Sequence, residues 1–144
     1  MRVVVLFLCV ACFALVGCKT TNNHPVQPSP FQIEVNLTLP SYSGLQGISG
    51  YAYVSGGVKG IVIYRKSQNE FVAFDRMATT ENAADCESGV VINPDNFLVL
   101  DDPCSDTQYS LFDGSIVSGD VEWGLRGYIV QFDGSNTLRI LNEQ

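Results

Sequence analysis

Apolar and polar residues alternate without a slip from Phe31 to Leu39. Phe31, Ile33, Val35, Leu37 and Leu39 share one face, and polar groups fill the other. A period of two over that length predicts a half-buried strand, ended by Pro40. "YAYVSGG" predicts a second, shorter strand running into glycines. "GIVIYRK" is a continuous apolar run, and "EFVAFDR" follows across Ser67-Gln68-Asn69, so the two predict a hairpin. "GVVINPDNFLVLDD" predicts another, with Asn93-Pro94-Asp95-Asn96 as its turn. "QYSLFDGS" reads as a strand ending at Asp113-Gly114. "LRGYIVQFDGSNTLRILN" closes the chain as a hairpin across Asp133-Gly134-Ser135-Asn136. No segment sustains a helical period, and residues 77 to 88 have room for one helical turn at most. Short strands with turn signals at this spacing predict one all-β domain over residues 31–144.

The chain ahead of that domain has a different character. "MRVVVLFLCVACFALVGC" carries one cation, Arg2, then an apolar run from Val3 to Val16. That is a short charged region and an apolar core of signal-peptide length. A membrane span needs about 20 apolar residues, more than this run supplies. Leu15-Val16-Gly17-Cys18 resembles the bacterial lipobox, in which the cysteine is acylated and becomes the new N-terminus. An ordinary secretory signal or an uncleaved anchor is the alternative. The resemblance implies a signal peptide at 1–17, a lipidated tether at 18–30, and a membrane contact through acyl chains on Cys18. Each buried methylene of such a chain contributes about 0.8 kcal/mol. The implied address is the bacterial cell envelope, on the outer membrane and facing the periplasm. "KTTNNHPVQPSP", residues 19–30, is polar and proline-rich and reads as a flexible tether. His24, the one histidine of the chain, is expected there as a solvated linker residue.

Charge and cysteine content narrow the chemistry. Loss of the first 17 residues removes Arg2 and no acid, leaving an excess of Asp and Glu over Lys and Arg. An acidic surface argues against nucleic-acid partners. Cys9 and Cys12 lie in the segment to be removed, and Cys18 is taken by lipid. Cys86 and Cys104 then remain in a disulfide-permissive compartment, and a structural disulfide between them is expected. With no histidine in the folded body, Ser-His-Asp and Cys-His catalysis are excluded there. There is no Cys-x-x-Cys dithiol. The glycines between residues 44 and 60 lie in turns without a strand-loop-helix unit, so phosphate cradling has little support. Asp101, Asp102 and Asp106 flank Cys104, and Asp85 and Glu87 flank Cys86. A disulfide would bring these five acids to one end, where a hard cation such as calcium is one reading and solvated loop acids the other.

From about residue 31 onward the chain resembles the Rieske [2Fe–2S] family, in particular its small bacterial lipoprotein-type members. "GIVIYRKSQNEFVAFDR" is similar to the hairpin before that family's first cluster-binding loop. "DPCSDTQYSLFDGSIVSG" is similar to its second loop, C-P-C-H-G-S-x-F/Y, a strand and a glycine turn. "LRGYIVQFDGSNTLRI" looks like the closing hairpin. The resemblance implies stacked antiparallel sheets, with Pro103, Cys104, Tyr109 and Gly114 setting the register of the second loop. Two Cys and two His hold a Rieske cluster. In this register Asp102 stands at the ligand-Cys position, Ser105 at the ligand-His position, and Cys104 at the disulfide position. In the first loop, "MATT" puts Ala78 and Thr80 at the ligand places. Counting back from Cys86 instead puts Glu81 and Ala83 there. Neither register supplies a thiolate or an imidazole. Asp and Ser are poor substitutes at a soft iron–sulfur centre, so the resemblance implies no cofactor and no bound metal in this chain.

The expected function is therefore non-enzymatic: a membrane-anchored, exported lipoprotein with a degenerate, cluster-less Rieske-like domain in a binding or structural role, with a protein partner still to be identified. The alternative is an electron-transfer or redox-subunit protein that keeps a [2Fe–2S]-type centre through unusual ligands. Trp123, in "GDVEWG", is expected either as an exposed contact residue or as a lid over the vacated site. Met77 is expected as core filler.

Overall fold

The computed structural model describes residues 23–142. The ends of the domain meet in one sheet, where β1 (Phe31–Asn36) pairs antiparallel with β10 (Thr137–Asn142) along its whole length. β10 also pairs with β9 (Gly127–Phe132). The sheet continues through β4 (Phe71–Asp75) and β3 (Ile61–Arg65) to β2 (Tyr51–Val54). These six antiparallel strands curl into a half-barrel. A second antiparallel sheet holds β5 (Val91–Ile92), β6 (Val99–Asp101), β7 (Gln108–Ser110) and β8 (Ile116–Ser118) in sequence order. It is inserted whole between β4 and β9. The expected all-β single domain is the one observed.

The unbroken apolar run of β3 has a simple cause. Ile61 and Ile63 enter a core with Val35, Leu45, Ala73, Leu138 and Ile140. Val62 and Tyr64, on the opposite face, enter a second core with Phe74, Val90, Leu100, Tyr109 and Leu111. A strand covered on both faces has no polar face to alternate with. Burying one such aliphatic side chain contributes about 1.5–3 kcal/mol, so both sheets are fastened to the same strand.

The turns form where the sequence puts them. Asn93 Oδ1 accepts from the Asp95 and Asn96 N–H groups, closing the β5–β6 hairpin. Asp133 Oδ1 accepts from the Ser135 and Thr137 N–H groups and closes β9–β10. These bonds, led by that from Thr137, hold the Asp133 carboxyl below the usual aspartate range. Residues 77 to 88 contain turns and no regular helix.

Four local expectations are corrected. The first strand ends at Asn36 instead of Leu39, because Asn36 Oδ1 takes both the N–H and the hydroxyl of Thr38 and bends the chain out of the ladder. A 3-10 segment over Pro40–Gln46 follows and buries Leu45. "QYSLFDGS" is a strand only to Ser110. There the Ser110 N–H donates to the Ser115 carbonyl and the chain reverses through Gly114, whose φ is +74°. A Cβ at Gly114 would stand 2.7 Å from the Phe74 ring, so glycine is required by both backbone and space. β8 follows that reversal.

The fourth correction concerns the tether. From residue 23 the chain lies on the body, with His24, Val26 and Pro28 buried. His24 Nδ1 accepts from the Val26 N–H at 3.1 Å, which leaves Nε2–H to donate to the Gly124 carbonyl at 3.1 Å. Asn142 Nδ2 donates to the Pro28 and Ser29 carbonyls. A proline-rich extended chain keeps its carbonyls free of internal bonds, and here the body supplies donors for them. His24 is thus a buried docking residue. Cys18, the expected lipid site, lies outside the described residues.

Candidate functional site

The two loops that leave β4 and β6 lie side by side. The first, residues 76–90, carries Ala78, Thr80 and Cys86; the second, residues 102–107, carries Asp102, Cys104 and Ser105. Cys86 and Cys104 are disulfide-bonded, with Cα atoms 5.9 Å apart. Cys86 is buried and Cys104 exposed. The disulfide expected from the cysteine count is the one formed.

Asp102 is the hub beside that bond and is only 4% exposed. Its Oδ1 accepts from the Cys104 N–H at 3.1 Å. Its Oδ2 accepts from the Thr80 hydroxyl at 3.0 Å and the Ser105 hydroxyl at 2.7 Å. Ser105 Oγ in turn accepts from the Thr107 N–H, and the Asp102 N–H donates to the Thr107 carbonyl. One carboxylate therefore joins three of the four expected ligand positions. The fourth, Ala78, is buried in the second core. Of the alternative pair, Ala83 is buried and Glu81 faces solvent.

Further contacts fix the first loop. The Thr79 N–H donates to the Tyr109 hydroxyl at 3.0 Å, and the Thr79 hydroxyl donates to the Trp123 carbonyl at 2.5 Å. That leaves the Tyr109 O–H to donate to Thr79 Oγ1. The Lys59 ammonium donates to the carbonyls of Ala84 and Cys86. Trp123 therefore borders this end through its backbone, while its ring packs edge-on against His24 at 5.5 Å. Met77 packs against the second core.

The donor set is a poor one for a metal. Among the described residues, Cys86, Asp102 and Cys104 form the one group of ligand-type side chains close enough together to share an ion. Both sulfurs are bonded to each other and the carboxylate oxygens already accept from three donors. A [2Fe–2S] cluster needs thiolate or imidazole ligands, and these residues do not fit it. Apart from Asp102, none of the five flanking acids belongs to a group of ligand atoms close enough to share an ion among the described residues. Asp101 turns to Asn93 Nδ2 and Gln108 Nε2, Asp102 turns inward, and Asp85, Glu87 and Asp106 face solvent. Nor is Ser105 an activated nucleophile. Its proton goes to Asp102, and His24 is engaged with Gly124.

A second buried carboxylate was not singled out from the sequence. Asp75, at the end of β4, is fully buried. It accepts from the N–H groups of Val58 at 2.6 Å, Lys59 at 3.2 Å and Met77 at 2.8 Å, and from the Tyr128 hydroxyl at 2.5 Å. Burial, then the Asp75 carboxylate, pushes the Tyr128 hydroxyl far above the usual tyrosine range. Asp75 anchors the 55–60 loop, and with it Lys59, against β4 and β9. The one sequence trace is Gly57, where a Cβ would stand 2.2 Å from Asp75 Oδ2.

No protein-family model matches this sequence, and no curated protein does.

Proposed function

We propose that this chain is an exported lipoprotein whose Rieske-like domain has exchanged its iron–sulfur cluster for hydrogen bonds and serves as a binding or structural module. One observation carries the reading. Asp102 takes the hydroxyls of Thr80 and Ser105, so residues at three implied ligand positions hold one another. The Cys86–Cys104 bond beside them corresponds to the disulfide that the resemblance implies. The insertion of the loop-bearing sheet between β4 and β9 agrees with the order of the quoted segments: hairpin, two loops, closing hairpin. Nothing in the donor set favours an electron-transfer centre with unusual ligands.

In this reading Cys18 carries the acyl chains and holds the domain to the outer membrane on its periplasmic side. Residues 19–23 would be the whole link between Cys18 and the docked His24. At about 3.3–3.6 Å per extended residue, the end of the domain at His24 and Trp123 would stand within roughly 20 Å of the lipid surface. A protein partner reached from that position is part of the proposal; a nucleic acid is not.

The test uses the full chain, produced in a bacterium that processes lipoproteins and purified in detergent. Mass spectrometry is expected to find an N-terminal, acylated Cys18, and iron and sulfide analysis to find neither element in stoichiometric amount. An unacylated N-terminus at another residue would overturn the anchor. Stoichiometric iron and sulfide would overturn the cluster loss.

A further inference from the structure

Arg76 leaves four guanidinium N–H groups without a protein acceptor in a groove that holds it rigidly. Its Nε donates to the Val90 carbonyl at 2.9 Å. Its guanidinium lies over the Tyr53 ring, with Cζ 4.3 Å from the centroid. The Tyr53 hydroxyl accepts from the Ile92 N–H, which fixes the ring in turn. The Arg76 backbone is held as well: its N–H donates to the Gly60 carbonyl, and its carbonyl accepts from the Val90 N–H. Among the described residues the ion pairs are Lys66–Glu70 and Arg139–Glu34, so no carboxylate neutralises Arg76.

The groove beside it is open and about 490 Å³, a volume in the range of small-ligand clefts. Tyr53 and Arg76 form one wall and the loop of residues 55–60 forms the other. That second wall carries few side chains, because three of its residues are Gly56, Gly57 and Gly60, whose positive φ favours glycine. Lys59 also lines the groove, with its ammonium turned to the Ala84 and Cys86 carbonyls. Asp75 stands behind the loop, with its carboxylate engaged by four donors.

We propose that this groove is an oxyanion-binding site for a small ligand bearing a carboxylate or phosphoryl group. A planar guanidinium presents paired N–H groups that match two oxygens of either anion. Stacking on Tyr53 and the Nε bond remove the rotamer freedom that an exposed arginine loses on binding. The half-exposed Tyr53 ring and Val58 offer an apolar surface for the rest of the ligand. The proposal does not depend on the cluster-loss reading.

The test is a nuclear magnetic resonance titration of the full chain in detergent micelles at constant ionic strength. Inorganic phosphate and acetate are the two probes. Saturable shifts of the 56–60 amides and of the Arg76 Nε–H are expected with at least one probe, and the responding probe assigns the anion class. Arg76→Gln is expected to weaken binding at least about tenfold, while Arg139→Gln leaves it unchanged. Should Arg76→Gln fail to fold, Arg76→Lys keeps the charge and removes the fork, and the same weakening is expected. Neither probe giving a saturable shift, or undiminished binding in the Arg76 variants, would overturn the proposal.

Discussion

Breaking the Cys86–Cys104 bond has a magnitude that follows from its place in the chain. The cysteines are 18 residues apart. Closing a loop of that length in the unfolded chain corresponds to about 3 kcal/mol in the chain-entropy account. Cys104 is exposed and Cys86, though buried, belongs to neither core cluster, so replacing both by alanine removes little packing. In the folded state the two loops also remain joined through Asp102 to Thr80 and Ser105, and Lys59 still holds the Cys86 carbonyl. The loss should therefore act through the unfolded chain, with native structure kept. For a domain of this size about 3 kcal/mol corresponds to a fall of roughly 10–12 °C in melting temperature. The assay is a circular-dichroism melt of the wild type with and without reductant, beside the Cys86→Ala/Cys104→Ala variant. Both perturbations should give the same fall and unchanged far-ultraviolet spectra at 25 °C. A shift under about 2 °C, or loss of β structure at 25 °C, would refute the reasoning.

Three further outcomes are expected. Asp75→Ala strips the acceptor from three N–H groups and the Tyr128 hydroxyl, and should cost about 3–5 kcal/mol in urea denaturation, more than an exposed acid such as Asp106→Ala. In an alkaline titration followed by ultraviolet absorbance, Tyr128 should ionise well above the usual tyrosine range, and Tyr128→Phe should remove that late step. Because the hydroxyl is raised in the folded state, its contribution to stability is full below about pH 10 and falls as pH rises beyond it. His24→Ala should cost about 1–2 kcal/mol and speed proteolysis between residues 23 and 30, with Phe31 onward still protected.

The legible parts of the fold are those set by neighbours in sequence. Strand alternation gave away β1, and Asn93 and Asp133 close turns with their own side chains. The disulfide followed from there being one pair of thiols to bond. What escaped depends on distant partners. His24, Val26 and Pro28 look like tether residues until Gly124 and Asn142 come to meet them. Asp75 looks like a charge at the end of a hairpin strand until the 55–60 loop donates to its carboxylate. β8 is short and exposes Val117, so its alternation is too brief to read. The acids could not be placed from sequence alone: Asp101 ends β6 and Asp102 begins the loop, so these consecutive residues turn to different partners. One turns to Asn93 and Gln108, the other to Thr80 and Ser105. The Asp102 hub joins Thr80, Asp102 and Ser105, and nothing in the spacing says that these three residues bind one another.

The central claim is that hydrogen bonds around Asp102 stand where a cluster would have stood. Electron paramagnetic resonance of dithionite-reduced cell envelopes containing the full chain tests it most directly, because any partner needed to assemble a centre is still present. The account predicts no [2Fe–2S] signal above that of envelopes lacking the chain. A signal that scales with the amount of chain and disappears on Asp102→Ala would contradict it.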